Sequence, residues 1–167
     1  MSTIRYLAYG SNLYPPRIGE RFGDIRSLGT AALPGWSLRF HKLGADGSGK
    51  CDLVAAPDEL AFGAVYEISN ADRARLDRIE GVGHGYFGAL IDVADFGELY
   101  VYRAQPSHIE PGLEPFDWYH GFVLAGARHH AFPRDYIEKI QRVGVIRDDD
   151  PVRREENLRI LASNRAR

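Results

Sequence analysis

Glu80 is the acidic residue whose position in this sequence most needs an explanation. The segment 69–81 (SNADRARLDRIEG) has the cap residues and apolar spacing of a helix that stops at Gly81. A helix C-terminus carries partial negative charge, so a carboxylate there costs about 0.3–1 kcal/mol, and stability alone would favour Lys or Arg. An acid beside several glycines and aromatic residues indicates a carboxylate with raised proton affinity. The alternative is an exposed glutamate that the helix end tolerates.

A second candidate site follows the first predicted strand, 3–10. The chain continues as Gly10, Ser11 and Asn12. Two prolines then open a short helix predicted for 14–22. Small polar side chains at this place can cap that helix. Free N–H groups at a helix start can equally bind a small carboxylate. Both interpretations stay open on the sequence alone.

Three other motifs have simpler explanations. The segment 44–50 (GADGSGK) has the spacing of a phosphate loop, but Cys51 stands where that loop needs Ser or Thr, so a hairpin loop is predicted. His129 and His130 are neighbours on a predicted helix and point about 100° apart, so they cannot chelate one ion. No base for a nucleophilic Cys51 is evident in the sequence, which favours a half-buried strand cysteine.

The elements that must position these residues form an α+β pattern with a mainly antiparallel sheet, which can curl into a small β-barrel flanked by helices. One domain is predicted over 1–167, with 148–167 as a charged C-terminal helical tail that frays at its end. Strands are predicted at 3–10, 35–43, 51–57, 59–69, 87–94 and 98–104, and further helices at 117–130 and 133–143.

Size and composition limit the possible functions. The chain has 167 residues, of which 44% are hydrophobic and 26% charged, as in an ordinary globular domain. The formal net charge of −2 gives no electrostatic case for binding nucleic acid. One cysteine cannot form an internal disulfide, and no apolar run has the length of a signal core or a membrane span. We therefore expect a cytoplasmic protein with no membrane partner.

Taken together, three segments resemble the γ-glutamylcyclotransferase family, which includes AIG2-like proteins. They are YLAYGSNL at 6–13, FGAVYEIS leading to LDRIEGVGHGYF within 62–87, and WYHGFVLAGARHH at 118–130. The family signature is a Tyr-Gly-Ser-Asn-Leu loop with a Glu-Gly pair about seventy residues later, and the likeness runs from about residue 4 to residue 143. The resemblance implies a small β-barrel with flanking helices and a reaction that cyclises γ-glutamyl amides to 5-oxoproline.

The resemblance also assigns roles to residues of this chain. Glu80 corresponds to the family's general acid/base, and no metal or organic cofactor is implied. Tyr119 corresponds to a tyrosine placed over the glutamyl pocket. Phe87 stands where some relatives have tyrosine, which puts leaving-group recognition or proton transfer in doubt. The residues that match the loop lining the glutamyl pocket are Tyr6, Leu7, Ala8, Tyr9, Gly10 and Ser11.

Several alternatives remain open at this stage. The substrate can be a γ-glutamyl amino acid, a γ-glutamylamine or a γ-glutamyl-protected biosynthetic intermediate. A non-catalytic module that binds a small carboxylate is a rival from another class, although such a binder gains nothing from the carboxylate of Glu80. Some relatives form dimers, so a homodimer is possible, but no apolar stripe in the sequence establishes one.

Overall fold

A five-stranded sheet forms the centre of the fold in the computed structural model, which describes residues 2–163. Its spatial order is β2-β3-β1-β5-β4, and every neighbouring pair is antiparallel except β1 with β5. The predicted α+β class is confirmed. Because β2 and β4 are edges of this sheet, the term barrel describes it only loosely. The strands are β1 Thr3–Ala8, β2 Arg26–Leu43, β3 Gly49–Ser69, β4 Tyr86–Val93 and β5 Gly97–Ala104.

Helices lie in all the segments where the sequence predicts them. The side chain of Ser69 caps α2 by accepting from the backbone N–H of Asp72, and Gly81 ends α2 in the left-handed conformation with φ of 73°. None of the helices within 2–163 is long and apolar enough to span a bilayer. The helices are α1 Pro15–Phe22, α2 Asn70–Glu80, α3 Asp117–His129, α4 Arg134–Gln141 and α5 Pro151–Ala162, with short 3-10 turns at Ser11–Leu13 and Pro106–His108.

The β2–β3 hairpin differs from the prediction in two ways. The segments 51–57 and 59–69 are one strand, and only their pairing is interrupted, because 56–59 has no partner residue in β2. That unpaired stretch contains Pro57, which cannot donate a ladder hydrogen bond. β2 also begins at Arg26, well before the predicted start. Its first half is rich in residues of low β-propensity, so the sequence pattern did not predict it as a strand.

Helix α3 packs closely against the 3-10 turn Ser11–Leu13. A Cβ added at Gly126 would lie 2.4 Å from Cβ of Leu13 and 2.8 Å from the backbone N of Tyr14. The turn is therefore wedged between β1, which precedes it, and the buried face of α3, where Phe122 and Val123 are fully enclosed. This packing fixes the loop that follows the first strand.

The charged tail predicted for 148–167 contains α5, which is attached to the rest of the fold by polar contacts. Asp150 caps α5 by accepting from the N–H groups of Val152 and Arg153. Asn157 accepts from Arg17 at 3.1 Å, and Arg154 forms a 2.7 Å ion pair with Asp117. The predicted frayed end falls on 164–167, which lies outside the described residues.

Candidate active site

The loop after β1 brings small polar residues into the interior. Ser11 and Asn12 are buried at the turn, which is closed by a 3.1 Å bond from the backbone N of Leu13 to the carbonyl of Gly10. A Cβ at Gly10 would lie only 2.9 Å from Cβ of Cys51 on β3. Glycine is therefore needed here because the loop approaches the neighbouring strand so closely.

A small inner cavity lies directly behind this loop. Its volume is about 30 Å³, comparable to one or two water molecules. Five of its ten lining residues are tyrosines. The lining residues are Tyr6, Tyr9, Gly10, Ser11, Asn12, Cys51, Glu80, Tyr86, Tyr102 and Tyr119.

Glu80 lies at the mouth of the inner cavity, as the last residue of α2. Its Oε1 accepts from Nη1 of Arg21 at 2.6 Å and from Nδ2 of Asn12 at 3.2 Å. The side chains of Glu80 and Arg21 are 19% and 15% exposed, so this ion pair is mostly shielded from water. The carboxylate thus joins α2 to α1 and to the loop after β1.

Asn12 is a site residue that the sequence analysis treated only as a cap. Its Nδ2 donates to the hydroxyl of Tyr6 at 2.9 Å as well as to Glu80. Its Oδ1 is buried and has no hydrogen-bond partner among the described residues. An unpaired buried acceptor beside a carboxylate can receive an N–H or ammonium donor of a ligand. The position of Asn12 inside the Gly-Ser-Asn turn was the available signal.

The hydroxyls of three cavity tyrosines are bonded to the backbone. Tyr119 accepts from the backbone N of Cys51 at 3.0 Å, and Tyr86 donates to the carbonyl of Cys51 at 2.5 Å. Tyr9 donates to the carbonyl of Tyr102 at 2.5 Å. Burial raises the pKa of Tyr9, Tyr86 and Tyr119 well above the ordinary value, so these phenols are neutral near pH 7.

Cys51 lines the inner cavity as a buried thiol. It is only 2% exposed, so it is buried more deeply than the half-buried cysteine predicted from the sequence. Burial raises the pKa of this thiol to about 12, so the reactive thiolate is absent near neutral pH. Cys51 is therefore a wall residue of the cavity in its protonated form.

Helix α2 is held in place one turn before Glu80. Asp77 accepts from the hydroxyls of Tyr100 and Tyr102 on β5 at 2.9 and 2.7 Å, and pairs with Arg73 at 3.2 Å. Because Asp77 and Glu80 are three residues apart, they belong to the same final turn. These contacts anchor the end of α2 on the sheet and so fix the position of the carboxylate.

A larger outer pocket of about 590 Å³ opens beside the inner cavity. The two share Ser11, Glu80, Tyr86 and Tyr119, so these residues mark the junction. The outer wall is rich in cationic side chains. These are Arg17, Arg21, Lys42 and Lys50.

The structure brings six of the eight predicted site residues together. Tyr6, Tyr9, Gly10, Ser11, Glu80 and Tyr119 all line the inner cavity. Leu7 and Ala8 do not: both are buried in the hydrophobic core instead. A strand points successive side chains to opposite faces, so Leu7 cannot share the cavity face of Tyr6.

The other motifs also have clear positions. The segment 44–50 includes the loop between β2 and β3, which confirms the predicted hairpin loop. Asp46 and Lys50 form a 2.7 Å ion pair there. His130 follows α3 directly, and its Nε2 donates to the carbonyl of Leu13 at 2.8 Å. Phe87 lies outside the cavity walls, and its neighbour Tyr86 lines both the cavity and the outer pocket.

Comparison with known proteins gives one family and several similar folds. The family model described as the AIG2-like family matches residues 61–140. No curated protein sequence matches the chain. A solved structure described as a γ-glutamyl cyclotransferase has a TM-score of 0.79 and 24% identity, covering 96% of this chain and 98% of that chain.

Two further solved structures are similar. An uncharacterised protein from Homo sapiens has a TM-score of 0.76 and 22% identity, covering 98% of this chain and 100% of that chain. YkqA from Bacillus subtilis has a TM-score of 0.71 and 22% identity, covering 85% of this chain and 54% of that chain. At these identities the similarity establishes a shared fold. Together with the match of residues 61–140 to the AIG2-like family model, it confirms the resemblance predicted from the sequence.

Proposed function

We propose that this chain is an enzyme that cyclises γ-glutamyl amides. The α-amino nitrogen of the glutamyl unit attacks its own γ-carbonyl carbon and forms a new C–N bond. The original amide C–N bond then breaks. The products are 5-oxoproline and a free amine or amino acid. A solved structure of similar fold, described as a γ-glutamyl cyclotransferase, supports this proposal at the level of fold.

The observation that carries the proposal is the position of Glu80. This carboxylate lies at the junction of the inner cavity and the outer pocket, and it lines both. A ring closure needs one proton taken from the attacking nitrogen and one given to the departing nitrogen, and both nitrogens are bound to the same carbon in the intermediate. A single acid/base at the junction can reach both.

The proton transfers have a clear chemical reason. An α-amino group has a pKa of about 8, so at neutral pH it is mostly protonated and cannot attack. Glu80 takes that proton as the base. Glu80 then returns a proton to the leaving nitrogen, because an amide anion is a very poor leaving group. The side chain of Asn12 contacts Glu80 through Nδ2, and its Oδ1, which has no hydrogen-bond partner among the described residues, can orient the attacking nitrogen.

Ring closure also depends on shape. Since nucleophile and carbonyl belong to one molecule, orienting them can contribute on the order of 7–11 kcal/mol relative to a bimolecular reaction. The inner cavity holds only water-sized volume, so the glutamyl chain occupies the junction and the leaving group extends into the outer pocket. Tyr86 and Tyr119, which line both spaces, can supply walls for its methylene groups, and N–H groups of the loop after β1 can bind its α-carboxylate.

The test is the substitution Glu80→Gln, assayed by release of 5-oxoproline from γ-glutamyl dipeptides. We expect turnover to fall by about 10²–10⁴-fold, the usual contribution of a general acid/base. The fold should persist, because a glutamine oxygen can still accept from Arg21 and Asn12. Circular dichroism and a melting curve check this.

Glu155→Gln is the matched control. Glu155 lies on α5, is 77% exposed and lines neither the inner cavity nor the outer pocket. It should keep wild-type activity. A Glu80→Gln variant that releases 5-oxoproline at the wild-type rate would refute the assigned mechanism. A folded wild type that binds γ-glutamyl ligands but turns none of them over would favour the rival binding module.

A further inference from the structure

The four cations of the outer pocket differ in whether their charge is already matched. Arg21 pairs with Glu80 at 2.6 Å, and Lys50 pairs with Asp46 at 2.7 Å. Arg17 has no ion pair within the described part of the chain, but it donates to Oδ1 of Asn157 on α5 at 3.1 Å. Lys42 alone of the four lacks both an ion pair and a hydrogen bond within the described part of the chain.

Lys42 is nevertheless buried. The residue is only 6% exposed, and its Nζ lies 4.4 Å from the ring centroid of Tyr86. A buried ammonium without an anionic partner is unfavourable. Burial accordingly lowers the pKa of Lys42, with desolvation as the largest cause. An anionic ligand in the outer pocket would supply the missing partner.

The backbone is adapted to hold Lys42 in this place. The register of β2 on β3 shifts between Arg39 and Lys42, and such irregularities commonly redirect a side chain beside a functional site. On the opposite side, a Cβ at Gly85 would lie 2.8 Å from Cε and Nζ of Lys42. Gly85 has φ of +137°, which also favours glycine, so the space for the ammonium depends on this residue.

Lys42 lies close to where a leaving group must be. Tyr86 lines both the inner cavity and the outer pocket, and Lys42 sits against its ring on the outer side. In a γ-glutamyl dipeptide the carboxylate of the released amino acid is two bonds from the scissile nitrogen. A group that recognises it must therefore lie just outside the reacting atoms, which is the location of Lys42.

We propose that Lys42 binds a carboxylate of the leaving group, so that the enzyme prefers γ-glutamyl amino acids and peptides to γ-glutamyl derivatives of simple amines. This inference rests on the proposed ring-closing function. Lys42 acts by binding and does not take part in proton transfer.

The experiment compares two substrates that differ only in this carboxylate, γ-glutamylalanine and γ-glutamylethylamide. We expect wild-type kcat/KM to be about 10- to 100-fold higher for γ-glutamylalanine, the range for a hydrogen bond to a charged group. Lys42→Met keeps the length of the side chain and removes its charge. It should lose most of this preference while turning over γ-glutamylethylamide within about two-fold of wild type.

Lys139→Met is the control for removing a lysine. Lys139 lies on α4, pairs with Glu59 and is 59% exposed, outside the inner cavity and the outer pocket. It should retain the full preference. A Lys42→Arg variant keeps the charge and should recover part of the preference, which separates loss of charge from loss of packing. Equal loss of kcat/KM on both substrates in Lys42→Met, or a wild type without the preference, would overturn the assignment.

Binding to the Glu80→Gln background distinguishes this inference from the proposed function. Calorimetric titration with γ-glutamylalanine and γ-glutamylethylamide measures the same preference without turnover. If wild type releases 5-oxoproline from neither substrate, the proposed function fails, but tighter binding of γ-glutamylalanine that disappears with Lys42→Met still supports the carboxylate site. If neither ligand binds, or both bind equally, the role of Lys42 is refuted whatever the activity.

Discussion

Gly126 offers a sharp test of whether the packing of α3 positions the loop after β1. In Gly126→Ala the new Cβ would lie 2.4 Å from Cβ of Leu13 and 2.8 Å from two backbone atoms of Leu13 and Tyr14. Backbone atoms cannot rotate away, so the 3-10 turn Ser11–Leu13 must move off α3 by about 1 Å to restore ordinary contact.

Gly121→Ala on the same helix is the matched variant. There the new Cβ would lie 2.8 Å from Cδ2 of Leu161, the end of a flexible side chain that can rotate. Both substitutions gain up to about 1 kcal/mol of helix propensity, so this gain cancels in the comparison. Gly126→Ala alone adds overpacking, about 1–3 kcal/mol.

The expected result is therefore a Gly126→Ala variant less stable than Gly121→Ala by about 1–3 kcal/mol. For a chain of this size each kcal/mol corresponds to about 2–4 °C, so the melting temperatures should differ by roughly 2–12 °C. Release of 5-oxoproline should fall further in Gly126→Ala, because a shift of 1 Å stretches the 3.2 Å bond between Asn12 and Glu80 beyond hydrogen-bonding range. Equal melting temperatures would refute the packing argument, and reduced stability with wild-type kcat/KM would refute its link to the active site.

Two further predictions concern buried polar groups. Asp77→Ala leaves the hydroxyls of Tyr100 and Tyr102 without their acceptor and should lower the free energy of unfolding by about 1–3 kcal/mol in urea titration, together with activity. Asp77→Asn keeps Oδ1, the atom that accepts from both hydroxyls, and should retain most of the stability and most of the activity. Equal losses of stability and activity in Asp77→Ala and Asp77→Asn would contradict this role. Cys51 should resist alkylation at pH 8 in the folded protein and react only after denaturation, because its thiol is buried with a pKa of about 12. Since that pKa is raised above the ordinary thiol value of 9.0, its contribution to stability is present below pH 9 and is lost as the pH rises toward 12. Rapid labelling of the folded protein would contradict the burial.

The sequence was informative about the candidate site where a local rule applied. A carboxylate at a helix C-terminus is unusual on electrostatic grounds, and this singled out Glu80 before any fold was known. The small polar turn after β1 singled out Gly10 and Ser11 in the same way. The structure brings both to one cavity, although their roles in catalysis stay predictions until the variants are assayed.

Contacts between distant segments were beyond reach of the sequence. Arg21 meets Glu80 across 59 positions, and no local pattern distinguishes it from other surface arginines. Lys42 depends on a register shift between two strands, which arises from their pairing and not from either strand alone. The prediction that a strand ends at Pro57 was wrong. The proline interrupts the pairing with β2, but the chain stays extended through it as part of β3.

The bonds of the cavity tyrosines to the backbone have a consequence for how a ligand is selected. Tyr9, Tyr86 and Tyr119 each use the hydroxyl to bind the main chain of a neighbouring strand, so their rings are held before any ligand arrives. A ligand that fits between them finds rigid surfaces and orders few side chains as it binds, which lowers the entropic cost of binding. The same rigidity works against a homologue with one extra methylene, because these three rings cannot swing aside without breaking their hydrogen bonds.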